Sequence, residues 1–371
     1  MPPSMAELEG PGMHAAIARL RAAGPVGWVD AIGGWLVTGY RTAVEVLRDA
    51  ASFTVDDPRF STAQVVGTSM LSLDGPDHRR HRSPFVPLFV PAGIEERYGP
   101  LVEGHVASLL DRLAHRGRAD LRPALSAPLA ASVMADVIGL GDAGADAVLE
   151  WYAAIVAAVT AITAGERPGP AAAGALDHLG AALGADGRSC VPGGAAALSD
   201  VEVVSNVAVV LFGGVETVDG AVANVLAHVL ERPAVLAELR RAPELLAAAV
   251  EESLRLEPAA SVVDRYASAD VTVGGVEIRR GDLVRVSLTG ANRDPEVFAD
   301  PDEYDLGRAN VRSQLSFARG PHACIAMDLA RLEARTALGM VLEALPGVRL
   351  DGPVEVHGLV FRKPLALPVA W

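Results

Sequence analysis

The sequence predicts a mainly α-helical protein with small β-sheets (α+β). Three observations carry that expectation. Segments of Ala, Leu, Val and Arg with helical period dominate the 371 residues. Short alternating stretches interrupt them at Trp28 to Gly39 and at Asp270 to Val286. No internal repeat and no long charged linker divides the chain, so one domain is expected over 1–371. Within it, a β-containing part covers about 25–40 plus 260–290 and a helical part about 75–345.

The helical segments are 13–23, 41–50, 100–115, 123–139, 199–231, 234–256 and 326–344. Trp28 to Gly39 reads as a hairpin turning at Gly33-Gly34, and Asp270 to Val286 as strand, Gly274-Gly275 turn, strand. Residues 165–197, rich in Gly, Ala and Pro, read either as a linker or as a flap over one domain. The best-defined helix is 199–231, opened by a Ser199/Glu202 capping box and bounded by Pro233. About 32 residues at roughly 1.5 Å each give about 48 Å, so this helix must cross the molecule. Its middle, Val207 to Val215, is apolar on all faces and should be buried. Gly213 and Gly214 each cost about 1 kcal/mol in a helix interior, which predicts a groove or local opening just before Glu216 and Thr217.

Composition excludes several function classes. With 32 Lys+Arg against 46 Asp+Glu the net charge is −14, the wrong sign for a protein that lives on nucleic acid or anionic lipid. Lys363 is the only lysine, so 31 of the 32 basic residues are arginine. The opening MPPSMAELEGPG lacks the basic and apolar regions of a secretory signal. The longest uncharged apolar runs, Trp151 to Gly165 and Val203 to Val215, fall short of the roughly 18 residues a membrane span needs. The expectation is a cytoplasmic protein with neither membrane nor nucleic-acid partner. Its two cysteines, Cys190 and Cys324, can make neither a zinc site nor a disulfide framework, and each must be explained singly.

Cys324 stands in Phe317-Ala-Arg-Gly320-Pro-His322-Ala-Cys324-Ile-Ala326, just before the helix expected from about Ala326. Partial positive charge and free N–H groups at a helix start stabilise a thiolate. A free Cys is more often buried and inert. The pattern Phe-x-x-Gly-x-His-x-Cys, however, would arise by chance in roughly one of several hundred chains this long. It resembles the haem-binding loop of the cytochromes P450, in which the cysteine thiolate is the axial iron ligand. Ala318 and Ala326 stand where that family usually has Gly. Glu252-Ser-Leu-Arg255, some 70 residues upstream, is similar to the family's ExxR pair, and Arg308 is its expected third member because Pro301-Asp-Glu303-Tyr304 departs from the family's Pro-x-Arg-Phe form. His78 and Arg82, at i,i+4, resemble a propionate clamp, and Arg265 and His322 match two further propionate positions. Gly213-Gly214-Val-Glu216-Thr217 resembles the family's acid–alcohol motif on its central helix.

The resemblance implies the haem-thiolate fold and haem b as cofactor, with Cys324 on the iron and Phe317 and Gly214 beside the ring. It implies that Thr217 and Glu216 relay protons to dioxygen. A pocket of Leu71, Val209, Phe212, Gly213, Ala260, Val262 and Val360 would take an apolar small molecule, free or carrier-bound. Electrons would come from a separate ferredoxin and reductase, since two cysteines cannot hold a cluster. Arg79, Arg80, Arg312 and Arg319 would form a basic patch for that acidic partner. The expected activity is a monooxygenase that hydroxylates, epoxidises or demethylates a bacterial secondary metabolite. Two alternatives stay open: an oxidase making C–C or C–O cross-links, and a catalytically silent P450-like binding module.

Overall fold

The computed structural model describes residues 2–163, 166–184 and 197–371. The chain divides into two compact units. The first comprises Met1–Thr54, Val106–Ser126 and Thr217–Trp371, and the second Val55–His105 and Ala127–Glu216.

The first unit holds the sheets. Its five-stranded sheet runs in the spatial order Val26–Val29, Gly34–Val37, Leu283–Ser287, Val262–Ala267 and Phe53–Thr54. The hairpin at its edge pairs Val26 with Val37 and Val29 with Gly34. Its turn is a 3₁₀ segment over Asp30–Ile32 closed by Gly33 at φ +60, one step earlier than the Gly33-Gly34 turn the sequence suggests. The second expected hairpin pairs Val271–Val273 with Val276–Ile278 through Gly274 and Gly275, both at positive φ. One face of the large sheet packs Val37, Phe53, Val284 and Val286 against Val46 and Leu47 of the helix Tyr40–Arg48. A second cluster gathers Leu8, Met13, Ile17, Val29, Leu36 and Val262.

The helix Met13–Ala23 has the expected bounds, but the segment 234–256 is broken. It divides into Pro233–Arg241, a 3₁₀ turn over Pro243–Leu245, and Leu246–Leu256. Pro243 lacks an N–H and pushes Ala242 out of helical conformation, to φ −134 and ψ 73, so the helix cannot run through. The expected helix over 123–139 begins as a π-helical turn, Arg122–Ser126, and continues as Ala127–Val137.

The central helix, Asp200–Leu230, is continuous for 31 residues, so the glycine pair opens no break in it. Its residues through Glu216 belong to the second unit and those from Thr217 to the first. This helix and Gly141–Thr163 are long and apolar enough to cross a membrane by length and composition, contrary to the estimate from the apolar runs. The runs alone miss this because polar residues at the helix ends still leave an 18-residue apolar window. That window is 67% buried within the protein in the central helix and 28% in the other.

Candidate active site

In the first unit, the cysteine loop is closed by its own backbone. The Cys324 N–H donates to the Phe317 carbonyl at 2.9 Å, and the Ala323 N–H to that of Gly320 at 3.1 Å. Two residues pay for this tight return with left-handed backbone. Gly320 lies at φ +77, and a Cβ there would sit 2.2 Å from the Leu47 carbonyl oxygen. Ala318 lies at φ +55 without the freedom of glycine, a strain of about 1 kcal/mol or more. The Phe317 ring is covered by the Arg331 guanidinium at 4.6 Å. Arg331 in turn donates to Glu251 at 2.6 Å and to Asp328 at 3.3 Å, fixing the loop to two helices. Cys324 is half-buried, as is every residue from His322 to Asp328, so the sulfur is not sealed in the core like an inert thiol. The helix Met327–Ala344 begins three residues after it and directs its positive end at the loop.

Behind the loop, Glu252, Arg255 and Arg308 are brought together. Arg255 clasps Glu252 bidentately at 2.8 Å and 2.8 Å, and both side chains are fully buried. Arg308 Nε donates to Glu252 Oε1 at 2.9 Å, and the Asp305 N–H to the same oxygen at 3.0 Å. Burial pushes the Glu252 carboxyl up, but Arg255, the Asp305 amide and Arg308 outweigh it and hold it below the ordinary range. The remaining guanidinium donors take backbone carbonyls of 292–303: Arg255 those of Asn292, Pro301 and Glu303, and Arg308 those of Ala299, Asp300 and Glu303.

Sequence reasoning missed the next link. Asn292 Oδ1 accepts from the Leu315 N–H at 2.6 Å while its Nδ2 donates to Ser316 Oγ, so one side chain sets the start of the cysteine loop. Its only signal was an Asn following a strand and a short helical turn. Also missed was Asp219, two residues after Thr217. It is buried and bound by Ser126 at 2.6 Å, Arg122 at 3.1 Å and the lone lysine, Lys363, at 2.8 Å.

Arg265 lies buried on the strand Val262–Ala267, and His322 is half-buried on the cysteine loop. In the second unit, His78 and Arg82 share the helix Gly75–Arg82, with His78 buried. Glu216 is buried and Thr217 half-buried on the central helix.

Several expectations are corrected. Gly214 directs its missing Cβ at Met134, whose Cε lies 2.1 Å from that position, so close helix packing requires a glycine there. Gly213 is the glycine on the open face, exposed between buried Phe212 and Val215 with nothing within 4 Å of its Cβ position. Val262 faces the core cluster with Leu8, Met13 and Ile17, because alternation along its strand gives each side chain one face only, and half-buried Val360 packs against that cluster. Ala260 bridges to Phe361 as an isolated β-pair. Leu71, Val209 and Phe212 all fall in the second unit, the latter two buried. Arg80 leaves the basic patch, since Glu202 takes its guanidinium at 2.7 Å. Arg319 is half-buried and donates to the Gln314 carbonyl, while Arg79 and Arg312 are exposed. Cys190 lies outside the described residues.

The donor set fits haem. A half-buried thiol at a helix start offers one soft axial ligand, a glycine and a strained alanine let the backbone turn tightly beside it, and Arg and His side chains suit two carboxylates.

Comparison with known proteins leads to the same class. A cytochrome P450 family model matches residues 185–346. The chain is 36% identical over 97% of its length to nocardicin C N-oxygenase of Nocardia uniformis subsp. tsuyamanensis, and covers 96% of that enzyme. Two solved structures are similar. One is the P450 enzyme CxnD for C–S bond formation in chuangxinmycin biosynthesis (TM-score 0.88, 27% identity, 100% of this chain and 97% of that one). The other is P450BioI in complex with acyl carrier protein ligated to hexadec-9Z-enoic acid (TM-score 0.86, 30% identity, 96% and 98%). The chain belongs to the cytochrome P450 family. It is a haem-binding P450 monooxygenase, which sets aside the silent binding module.

Proposed function

We propose that this monooxygenase inserts oxygen into an apolar small molecule in the tailoring of a bacterial secondary metabolite, working in the cytoplasm with a ferredoxin and its reductase. The observation that carries this reading is the near full-length likeness to an N-oxygenase, together with an intact Glu216–Thr217 pair. When bound, haem supplies the one-electron and oxygen chemistry, and thiolate ligation favours O–O cleavage.

The chain's own residues do the rest. Cys324 Sγ is the thiolate ligand, and the loop that carries it is held by Asn292, Arg331 and the Glu252–Arg255–Arg308 network. His78, Arg82, Arg265 and His322 are assigned to the propionates, and Phe317 to the ring. The Thr217 hydroxyl donates a hydrogen bond to the reacting oxygen, and the Glu216 carboxyl passes protons toward it. Gly213, Val209, Phe212 and Leu71, all in the second unit, are assigned to the substrate side, where small apolar surfaces suit an apolar ligand. The likeness to P450BioI, solved with an acyl carrier protein, supports a carrier-bound substrate as well as a free one.

Turnover with a ferredoxin and reductase tests the reading: the product gains one oxygen atom, and that atom is labelled when the gas phase is ¹⁸O₂. A product that loses two hydrogens and gains no oxygen would instead establish the cross-linking oxidase, which the likeness to a C–S bond-forming P450 favours. Charge reversal at the two exposed arginines, Arg79→Glu with Arg312→Glu, slows ferredoxin-driven turnover several-fold and leaves peroxide-driven turnover unchanged. Equal losses in both assays would remove these residues from partner docking.

A further inference from the structure

Within the second unit, a buried polar chain whose members the proposed chemistry leaves unused links three elements. His81, on the helix Gly75–Arg82, is completely buried and lies 2.9 Å from Asn206 of the central helix, Nδ1 to Nδ2. Asn206 is itself fully buried. Its Oδ1 accepts from the Met70 N–H at 2.8 Å, and its Nδ2 donates to the Glu202 carbonyl at 2.6 Å.

The Met70 contact fixes the orientation of the Asn206 amide. A backbone N–H can only donate, so the amide oxygen of Asn206 must face Met70 and its NH₂ must face His81. His81 Nδ1 is then an acceptor of the neutral ring, whose Nε2 lies between Arg80 Nη2 at 2.9 Å and Glu202 Oε1 at 3.2 Å. Burial, and then the Arg80 charge, push the imidazole toward that neutral form. Glu202 is held in turn by Arg80 at 2.7 Å and by the Ser199 capping box. An apolar side chain at 81 would fill this space without needing partners. Asn206, bonded through both its oxygen and its nitrogen, rigidifies and specifies one arrangement.

What it arranges is the turn Ser69–Ser72, in which the Ser72 N–H donates to the Ser69 carbonyl at 3.1 Å and the Ser69 N–H to Ser72 Oγ at 3.2 Å. Met70 is the turn's anchor, and Leu71 is the next residue. Asn206 stands one and two turns before Val209 and Gly213 on the same stripe of the central helix. We infer that His81 and Asn206 are positioning residues that lock the turn carrying Leu71 in register with the Val209–Gly213 face, and so set which ligand shapes the pocket accepts. This inference rests on the pocket reading proposed above; the Met70–Asn206–His81 contacts do not.

Two measurements test it on the holoenzyme. The first follows hydrogen exchange at the Met70 amide in the ligand-free protein. Asn206→Leu lowers its protection about tenfold, Asn206→Asp, which keeps an oxygen for that amide, restores it, and His81→Leu gives a smaller loss. The second compares, by Soret titration, the Kd of 4-phenylimidazole with that of imidazole, which has no ring to reach the pocket wall. The ratio of the two rises about fivefold in Asn206→Leu and about twofold in His81→Leu while the imidazole Kd holds. Should Asn206→Leu not fold, His81→Leu carries both measurements alone. Unchanged Met70 protection in a folded variant would overturn the lock. Lost protection with an unchanged ratio would overturn its hold on specificity. Failure of wild-type protein to bind imidazole at all would strike the haem reading instead.

Discussion

At the scale of single residues, two positions of the cysteine loop carry the sharpest expectations. Cys324→Ser removes the thiol proposed as the iron ligand, so the reduced, CO-treated protein should lose the red-shifted Soret band of a thiolate adduct while the helical circular dichroism stays intact. Gly320→Ala tests the loop's geometry instead of its chemistry. The new methyl would meet the Leu47 carbonyl at 2.2 Å, and the backbone already sits at φ +77. Strain and clash together should cost about 3 kcal/mol, read from the urea midpoint, and haem retention should fall with it. Ala318 shows how far the chain tolerates the same conformation without glycine. The sequence marked Ala318 as a departure from the family pattern, but that its φ would be positive was visible only in the folded loop.

At the scale of elements, the ExxR helix Leu246–Leu256 holds the 292–303 segment almost entirely through side chain to backbone bonds. Glu252→Gln keeps the shape and removes the charge that two buried guanidiniums share. A loss of about 3–5 kcal/mol is expected by chemical denaturation, larger than for any exposed arginine pair. Glu252 and Arg255 were legible as a spaced motif, and Arg308 as a candidate third partner in a segment that departs from the family form. Asn292 and Asp219 were not, because their roles come from long-range contacts with Leu315, Arg122 and Lys363 that no local pattern announces. Helix bounds followed the same division. Met13–Ala23 and Met327–Ala344 end where periodicity ends, whereas the break at Ala242 needed the proline to be weighed above an unbroken apolar rhythm.

At the scale of the whole molecule, these groups should make stability fall on both sides of about pH 4.5. On the acid side, Glu257 is buried, which pushes it up, yet His14 and Arg362 draw it down to about 2. Glu252 is likewise depressed. A carboxyl with a depressed folded pKa stabilises above its unfolded value and loses that contribution as pH drops, here from about 4.5 toward about 2. Glu333 acts with the opposite sign. It is fully buried with Oε2 unbonded, and burial holds it well above the ordinary range, so the folded protein keeps a proton that the unfolded chain releases. Stability therefore declines as pH rises above about 4.5. Glu333→Gln should raise Tm by a few degrees at about pH 8 and by much less at about pH 5. A shift of equal size at both would place the effect elsewhere.

The lone lysine gives the molecule an unusual chemical handle. Lys363 holds its ammonium 2.8 Å from Asp219 with the side chain only 16% exposed, and no other side-chain amine exists among 371 residues. Acylating reagents that normally decorate a protein at many lysines therefore find one, engaged as an ammonium and poorly nucleophilic. Immobilisation on amine-reactive surfaces should be sparse and run mainly through the α-amino group, while coupling through the 46 carboxylates should succeed. For an enzyme that must meet a redox partner, this means a probe can be placed by engineering a single exposed lysine, and its position will be unique.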